Sequence, residues 1–323
     1  MPSWQPEAGI KANTPSVLFQ IGSWSFHTYS LTLLLGILAA ILTISIFWYR
    51  AKYKWEILWT LIFITIPAAI IGARLWDLVE EWIYKRDTFD FSRWYAIWEG
   101  GLSIQGGVVL AFICDLAYIY AKRDLIDIRK VASIIVPTIL IGQVIGRWGN
   151  YANHELYGKV DWSGNSVLIF GHNFAQNMFI SDAVSDSYNQ IALYRYPLFL
   201  YEGLANLAGY LVLVWIINWF GLLKPGSSAG LYFIWYGLVR YALEPWRENS
   251  YAMYSVASIA FIILGLIAFI YFQYLSKIHY IKIKRKYYFD YKIAHPEQYI
   301  DWINSTRFFK TKRTKEKITE LAY

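Results

Sequence analysis

The residues with the clearest potential for chemistry lie in one stretch, residues 146–158, which reads GRWGNYANHELYG. Arg147 stands between two glycines, and Asn150 and Glu155 follow it within about two helical turns. Glycine lets a ligand or a backbone approach closely, and an arginine at membrane depth is costly without a partner. The stretch predicts a site that holds an anion, although an arginine at a helix end can also simply reach the membrane interface.

The composition indicates that membrane helices must position this stretch. Of the 323 residues, 57% are hydrophobic, 19% are aromatic and only 16% are charged, which is more apolar than a soluble domain. Helices in seven places would be long enough to cross a bilayer of about 30 Å, over residues 28–49, 56–78, 102–120, 131–146, 197–220, 228–244 and 251–276. We therefore expect an all-α polytopic membrane protein with about seven transmembrane helices.

Basic residues predict how these helices are oriented, because short cytoplasmic loops carry an excess of Lys and Arg. Such residues follow the first, third, fifth and seventh spans, so we expect the N-terminus outside and the C-terminus in the cytoplasm. The expected domains are a seven-span catalytic domain over residues 1–276, with an outer cap loop at about 159–196, and a basic cytoplasmic tail over residues 277–323. The tail suits an anionic membrane surface better than nucleic acid.

With this orientation, six predicted spans bring polar side chains to the outer level of the membrane. These side chains are His27, Tyr29, Arg74, Gln105, Arg147, Tyr201, Glu202, Arg240 and Glu244. Arginines that merely reached for the interface would lie at both faces, so the bias favours a site open to the outer leaflet. Glu202 or Glu244 could hold Arg147 or Arg240 in place, in pairs that the sequence does not determine.

Cysteine and histidine usage argues against a metal or a disulfide framework. Cys114 is the only cysteine and lies in an apolar stretch, so one chain cannot form a disulfide. The five histidines have no ligand-like spacing, and we expect no metal and no cofactor. The N-terminal segment lacks the pattern of a cleavable signal peptide.

Five segments and one tyrosine together resemble the motifs of a single enzyme family. Besides residues 146–158, they are WEGGLSIQGG at 98–107, the Gly-Ala-Arg element at 72–74, RYPLFLYE at 195–202, the YG-x-x-R-x-x-x-E-x-x-R pattern at 236–247, and Tyr29 in the first span. These segments resemble the prolipoprotein diacylglyceryl transferases and cover most of spans one to six. The tail extends beyond the usual end of that family.

The resemblance implies an activity and its partners. Members move the diacylglyceryl group of phosphatidylglycerol onto the thiol of the lipobox cysteine of a prolipoprotein and release glycerol phosphate, in the bacterial plasma membrane. The implied partners are phosphatidylglycerol, prolipoproteins and membrane lipids, with no nucleic acid and no cofactor. Because the substrate supplies the thiol nucleophile, Cys114 need not be reactive.

The resemblance also assigns roles to individual residues. It implies that the catalytic residues are Arg147, Arg240, Gln105 and Tyr29. It implies that phosphatidylglycerol is bound by Arg147, Arg240, Asn150, Glu155, Gly158 and Tyr236, and that the supporting residues are Arg74, Glu202, Glu244 and Arg247. A guanidinium group is always charged and binds phosphate through two N–H groups. The alternatives are that the arginines only tie helices together and that Asn150 and Glu155 only cap the fourth span.

Gln105 departs from the family pattern, since many members have histidine there. An amide cannot act as a general base, and His154 and His27 are the conceivable substitutes. We expect instead that Gln105 hydrogen-bonds the lipid head group, while the arginines favour loss of the thiol proton to water.

Two other classes of function fit part of the pattern. An anion transporter or channel would use the arginines, but it would place them near the middle of the membrane. Such proteins also often show internal repeats, and this sequence shows neither feature. A scaffold that binds phospholipid without reacting would not explain why Gln, Asn, Tyr and Glu converge with the arginines.

Overall fold

The computed structural model describes residues 2–22, 24–84, 86, 91–95 and 102–306. Over these residues the chain forms twelve α-helices and seven short strands of two to five residues. Helices dominate, which confirms the predicted class of an all-α polytopic membrane protein.

Six helical segments are long and apolar enough to cross a membrane: Thr28–Arg50, Trp55–Tyr84, Ile104–Ala121, Ile128–Ala152, Leu198–Asn218 and Ala252–Leu275. Each coincides with a predicted span. The remaining predicted span, 228–244, is a helix of 17 residues, Ser227–Leu243. Its C-terminal end tightens into a 3-10 turn, Glu244–Trp246, because Pro245 cannot continue an α-helix. The count of seven spans and their orientation stay predictions.

The helices are labelled in chain order. They are α1 Thr28–Arg50, α2 Trp55–Tyr84, α3 Ile104–Ala121, α4 Ile128–Ile135, α5 Ile139–Ala152, α6 Asn165–Leu168, α7 His172–Asn177, α8 Ala183–Ser187, α9 Leu198–Tyr210, α10 Ser227–Leu243, α11 Ala252–Ile270 and α12 Pro296–Ser305. A 3-10 turn containing Pro137 joins α4 to α5. Two helices continue as π-helical segments, α9 through Leu211–Asn218 and α11 through Tyr271–Leu275.

The strands form three small sheets. They are β1 Ile10–Lys11, β2 Val17–Ile21, β3 Trp24–His27, β4 Phe179–Ser181, β5 Leu193–Tyr194, β6 Tyr280–Lys284 and β7 Phe289–Ile293. β1 pairs in parallel with β4, and β4 pairs antiparallel with β5. β2 and β3 form an antiparallel hairpin before α1, and β6 and β7 form a two-stranded sheet after α11.

The chain divides into two compact units. Unit 1 comprises Met1–Ile46, Ala132–Lys277 and Lys282–Tyr291, and unit 2 comprises Phe47–Val131, Ile278–Ile281 and Lys292–Tyr323. In unit 1, α10 packs along α11 and α5 packs along α9. In unit 2, α2 packs along α3, and α12 contributes Tyr299 and Ile303 to a small core with Ile278 and Ile293.

A small folded region of unit 1, which we call the cap, consists of residues 2–16 and 153–197. Its core contains the fully buried Val167 and Ala175, with Phe179 and Tyr194 nearly buried. Trp4 packs against this core, and its carbonyl accepts a hydrogen bond of 2.8 Å from the Tyr194 hydroxyl. The N-terminal segment therefore belongs to the cap, which the sequence did not predict.

Candidate functional site

The signature stretch forms a chain of polar contacts at the C-terminal end of α5. Arg147 Nη1 donates to Asn150 Oδ1 at 3.1 Å, and Arg147 Nη2 donates to Glu202 Oε1 on α9. Asn150 Nδ2 in turn donates to Glu155 Oε1 at 2.7 Å. Arg147 and Asn150 meet because residues three apart share one helix face. Asn150 therefore links Arg147 to Glu155.

The end of α10 contributes the second half of the site. Arg247 Nη2 donates to the other carboxylate oxygen of Glu202 at 3.0 Å. Glu244 Oε2 lies 2.9 Å from Arg240 Nη2 and 3.7 Å from Arg247 Nε. Glu202 therefore bridges Arg147 to Arg247, and Glu244 bridges Arg247 to Arg240. We call these five residues the arginine cluster.

Charge and burial are unequal within the arginine cluster. Glu202 and Glu244 are 3% and 1% exposed, whereas the side chains of Arg147 and Arg240 are 20% and 15% exposed. Three guanidinium groups meet two carboxylates in direct contact, so these five residues carry one positive charge in excess, while Glu155 lies one hydrogen bond further away, beyond Asn150. Such an arrangement favours an added anion.

Burial and the neighbouring arginines both disfavour the charged form of Arg247, which lies outside the membrane-spanning helices. Burial, together with Arg240 and Arg147, lowers the pKa of the Arg247 guanidinium, while Glu202 and Glu244 act in the opposite direction. An arginine still keeps its charge at any ordinary pH. Keeping Arg247 charged therefore costs free energy, and an additional anion nearby would reduce that cost.

Tyr29 lies beside the signature because Gly149 lets α1 approach α5. A Cβ on Gly149 would lie 2.5 Å from Thr32 Oγ1 and 2.6 Å from Tyr29 Cδ2, which is too close for any real side chain. Glycine at this position is therefore a packing requirement. The Tyr29 hydroxyl lies within electrostatic range of Glu155 and Arg147.

Gly158 lies where three backbone segments cross. Its N–H donates to the Tyr196 carbonyl at 2.9 Å, and it pairs antiparallel with Arg247. A Cβ here would lie 2.8 Å from Tyr196 Cβ and 3.0 Å from the carbonyl oxygen of Trp246. The glycine thus holds the backbone of Arg247 in place.

Tyr236 lies one helical turn before Arg240 on α10, and therefore on the same face. Its ring stacks on Tyr232, with centroids 6.2 Å apart, and meets Phe261 edge-on at 5.4 Å. These aromatic contacts hold Tyr236 in place against α11.

A second buried arginine was missed as a separate feature of the sequence. Arg195 is 0% exposed, and its Nη2 donates to both carboxylate oxygens of Asp182 at 2.6 and 2.7 Å. Its Nη1 donates to Glu248 Oε2 at 2.6 Å, and the Tyr157 hydroxyl donates to Asp182 Oδ2 at 2.8 Å. We call these four residues the Arg195 cluster. The sequence offered one indication of this cluster, namely that Arg195 is part of the RYPLFLYE motif. An arginine that becomes buried in a fold needs carboxylate partners.

Arg74 and Gln105 belong to unit 2. Arg74 Nη1 donates to Asp77 Oδ2 at 3.1 Å, and its Nε donates to the Trp94 carbonyl at 3.0 Å. Gln105 is exposed at the start of α3, where its Oε1 accepts a hydrogen bond from Ser103 Oγ at 2.7 Å. Residues 98–101 of the same motif lie outside the described residues.

His154, the first conceivable substitute base, has contacts at both ring nitrogens. Nδ1 lies 3.2 Å from the Thr14 carbonyl and Nε2 lies 3.3 Å from Asn177 Oδ1. Its backbone is in the left-handed region, with φ of 52°, which is strained for a residue other than glycine. These contacts hold the C-terminal part of the signature within the cap. His27, the other conceivable base, lies at the end of β3.

Fold and site together define a class: a multi-span membrane protein with a partly buried excess of guanidinium groups at one end of its helices. The chain matches the family profile "Prolipoprotein diacylglyceryl transferase" over residues 16–271. A phosphatidylglycerol–prolipoprotein diacylglyceryl transferase of Mycoplasmopsis pulmonis is 52% identical over 260 residues, covering 80% of each chain. One of Streptococcus uberis is 32% identical over 256 residues, covering 78% of this chain and 92% of the relative. The chain belongs to the prolipoprotein diacylglyceryl transferase family, which confirms the resemblance of its motifs.

Proposed function

We propose that this protein transfers the diacylglyceryl group of phosphatidylglycerol to the lipobox cysteine of prolipoproteins, the first step of bacterial lipoprotein maturation. The observation that carries the proposal is the arginine cluster. It is assembled from three of the motifs that define the family resemblance, those at residues 146–158, 195–202 and 236–247. The names of the relatives supply the two substrates.

The reaction requires one bond to form and one to break. The cysteine sulfur attacks the glycerol carbon that carries the phosphate, and a carbon–sulfur bond forms. The bond between that carbon and the phosphate oxygen breaks, and glycerol phosphate leaves with the bonding electron pair. The thiol loses its proton, and the product is a thioether. Catalysis therefore requires stabilisation of the charge that grows on the departing phosphate.

Arg147 and Arg240 are suited to hold that phosphate. They are the more exposed members of the arginine cluster, and Glu202 and Glu244 fix one edge of each guanidinium group. Each guanidinium has five N–H donors, so N–H groups beyond these ion pairs can face a ligand. Arginines that are oriented in advance stabilise charge without reorganising during the reaction.

Asn150, Glu155, Tyr29, Gly158 and Tyr236 shape the site around the phosphate. Asn150 joins Arg147 to Glu155 through two hydrogen bonds, and it thereby sets the position of the guanidinium group. Gly158 fixes the backbone of Arg247, which shares Glu202 with Arg147. We assign Arg74 a supporting role, in which Asp77 and the Trp94 carbonyl orient its side chain.

Gln105 cannot accept a proton, so the thiol proton must go elsewhere. A cysteine thiol has an ordinary pKa of about 8.5, and nearby cations favour the thiolate. We assign proton acceptance to water, with the arginine cluster stabilising the thiolate, and we assign Gln105 to a hydrogen bond with the lipid head group.

The location that fits this chemistry is the bacterial plasma membrane, with the arginine cluster towards the outer leaflet. The bias of Lys and Arg to alternate loops supports this orientation. Prolipoproteins translocated across the membrane would meet the enzyme on that side.

A transfer assay with the purified full chain tests the proposal. The donor is phosphatidylglycerol with a radiolabel in the glycerol that carries the acyl chains, and the acceptor is a lipobox peptide. We expect labelling of the peptide by the wild type, and none of a matched peptide with serine in place of cysteine. Binding of the lipid without peptide labelling would contradict the proposal and favour a scaffold.

Gly203→Ala is a matched control for the variants in this assay, because it adds a methyl group one residue after Glu202 where nothing lies within 4 Å. Arg147→Ala and Arg240→Ala should lower labelling by about 10²-fold or more, whereas Gly203→Ala should leave it near the wild-type value. Wild-type labelling by both arginine variants would remove the arginines from the mechanism.

A further inference from the structure

A basic surface lies in unit 1 outside the part of the chain that matches the family, which ends at residue 271. It consists of residues 282–291, which include most of β6 and β7 and the turn between them, and we call it the basic hairpin. Its exposed basic residues are Lys282, Lys284, Arg285 and Lys286. The turn is closed by a 2.8 Å hydrogen bond from Arg285 N–H to the Tyr288 carbonyl. Asp290 is the one acidic residue in this segment.

The basic hairpin is held against the end of a transmembrane helix. Gly221 follows the π-helical continuation of α9 and has a positive φ of 60°. A Cβ on Gly221 would collide with the carbonyl of Phe289, so the two backbones touch. The Tyr291 hydroxyl lies 3.5 Å from the carbonyl of Leu222. The hairpin is therefore packed at the point where the fifth span ends.

This point lies at the membrane face opposite the arginine cluster. Glu202 is near the start of the helix Leu198–Asn218, and Gly221 lies just beyond its end. A helix of 21 residues is about 31 Å long, close to the thickness of the hydrocarbon core. The arginine cluster and the basic hairpin therefore belong to different leaflets.

The side chains of the hairpin combine charge with aromatic groups. Lys282 Nζ lies 4.0 Å from the centroid of the Phe289 ring and 5.9 Å from that of Tyr291. Tyr287, in the turn, is 70% exposed. Aromatic side chains beside Lys and Arg are typical of segments that lie at the interface between lipid and water.

We propose that the basic hairpin binds the phosphate groups of anionic phospholipids at the membrane face opposite the arginine cluster. Lys282, Lys284, Arg285 and Lys286 supply the positive charge, and Tyr287 inserts among the head groups. The lipid surface is the partner because the packing against Leu222 places the hairpin where a span leaves the membrane. This inference does not depend on the proposed transferase activity.

Spin-label spectroscopy of the full chain in phosphatidylcholine nanodiscs tests this inference. The probe is spin-labelled phosphatidylserine, an anionic lipid without the glycerol head group of the proposed substrate. We expect the wild type to immobilise phosphatidylserine in preference to labelled phosphatidylcholine. The variant Lys282→Ser, Lys284→Ser, Arg285→Ser, Lys286→Ser should lose this preference by at least about tenfold, since each basic residue near a membrane is worth about fivefold.

Two further variants separate charge from shape and location. Lys282→Arg, Lys284→Arg, Lys286→Arg keeps the charge and should keep the preference for phosphatidylserine. Lys11→Ser, Lys159→Ser removes two exposed cations from the cap and should leave it unchanged. Wild-type preference in the four-serine variant, or an equal loss in the cap variant, would overturn the inference.

If the four-serine variant fails to fold, the single change Lys286→Glu in the exposed turn takes its place. It should lower the preference for phosphatidylserine about fivefold or more, and raising the salt to 1 M should weaken the wild-type preference. A preference that neither change affects would overturn the inference.

Discussion

The arginine cluster and the Arg195 cluster use the same residue types to opposite effect. In the Arg195 cluster one guanidinium lies between two carboxylates and is 0% exposed. In the arginine cluster three guanidinium groups share two carboxylates, and Arg147 and Arg240 remain partly exposed. A buried arginine with a carboxylate on each side has no positive charge left for a ligand anion and serves the fold, whereas arginines in excess of their carboxylates can bind an anion.

Local surroundings reinforce this difference. Burial and the hydrogen bond to Asp182 raise the pKa of Tyr157 well above its usual range, so that its phenol stays a hydrogen-bond donor in alkaline solution. Burial likewise raises the pKa of Tyr194, in the cap, to about 12. The Arg195 cluster thus keeps one protonation state, as a structural element should.

The largest effect should follow removal of Arg147. Arg147→Ala is expected to lower the transfer rate by roughly 10²–10³-fold, the usual cost of removing one charge-stabilising donor. The fold should persist because Arg247 still pairs with Glu202. Transfer rates and thermal unfolding measured together check this expectation. An unfolded Arg147→Ala protein would instead make Arg147 a structural residue like Arg195.

Arg195→Met should show the reverse pattern. It leaves Asp182 and Glu248 without their cation, and breaking a buried pair costs about 3–5 kcal/mol of folding free energy. The midpoint of thermal unfolding should fall sharply, while the transfer rate of the molecules that remain folded stays within a few-fold of wild type. Loss of transfer activity in the Arg195→Met molecules that remain folded would contradict the distinction between the two clusters.

Gly158→Ala should produce an intermediate effect, because Gly158 links the backbones of the two clusters. The added methyl group would press on Tyr196 and on the Trp246 carbonyl, and such overpacking costs about 1–3 kcal/mol. We expect a fall of about tenfold in the transfer rate through displacement of Arg247. Gly203→Ala is the control, with no atom within 4 Å of the new methyl group. Equal rates for the two variants would contradict this role of Gly158.

The smallest effect concerns Asp161 in the cap. Burial acts to raise its pKa, but hydrogen bonds from Ser166 and Ser163 outweigh burial and lower the pKa below the ordinary value. The carboxylate therefore stabilises the cap above the unfolded pKa of about 3.9, and this contribution is lost as pH falls through the lower folded value. Asp161→Asn should make the stability of the cap fall less steeply as the pH is lowered, measured by hydrogen exchange of residues 161–168. An unchanged dependence of cap stability on acidic pH would exclude Asp161 as its source.

Six of the seven predicted spans could be read from the sequence because spans depend on a local pattern. Apolar runs of helix length indicated six helices that the structure contains. The signature places Asn150 three residues after Arg147, and the structure shows a hydrogen bond between them because residues three apart share one helix face. The partner of each arginine could not be predicted, because Glu202 and Glu244 were equally available to both.

Contacts between segments that are far apart in the chain could not be predicted from the sequence. The pairing of Arg195 with Asp182 depends on the fold of the cap loop, and no periodicity marks it. The N-terminal segment joins the cap through β1 and Trp4, which carry no helical or membrane signal. The basic composition of the tail was evident, but the packing of Phe289 on Gly221 requires a strand that the sequence did not indicate.

Titration of the detergent-solubilised full chain with glycerol phosphate, the proposed leaving group, tests the central claim most directly. We compare the wild type with Arg240→Gln and Arg195→Gln by calorimetry, at a temperature where all three are folded. The excess charge of the arginine cluster predicts at least about tenfold weaker binding for Arg240→Gln, since a charged hydrogen bond is worth about 1.5–3 kcal/mol, and wild-type binding for Arg195→Gln. Equal affinity of Arg240→Gln and the wild type, or equal losses in both variants, would contradict it.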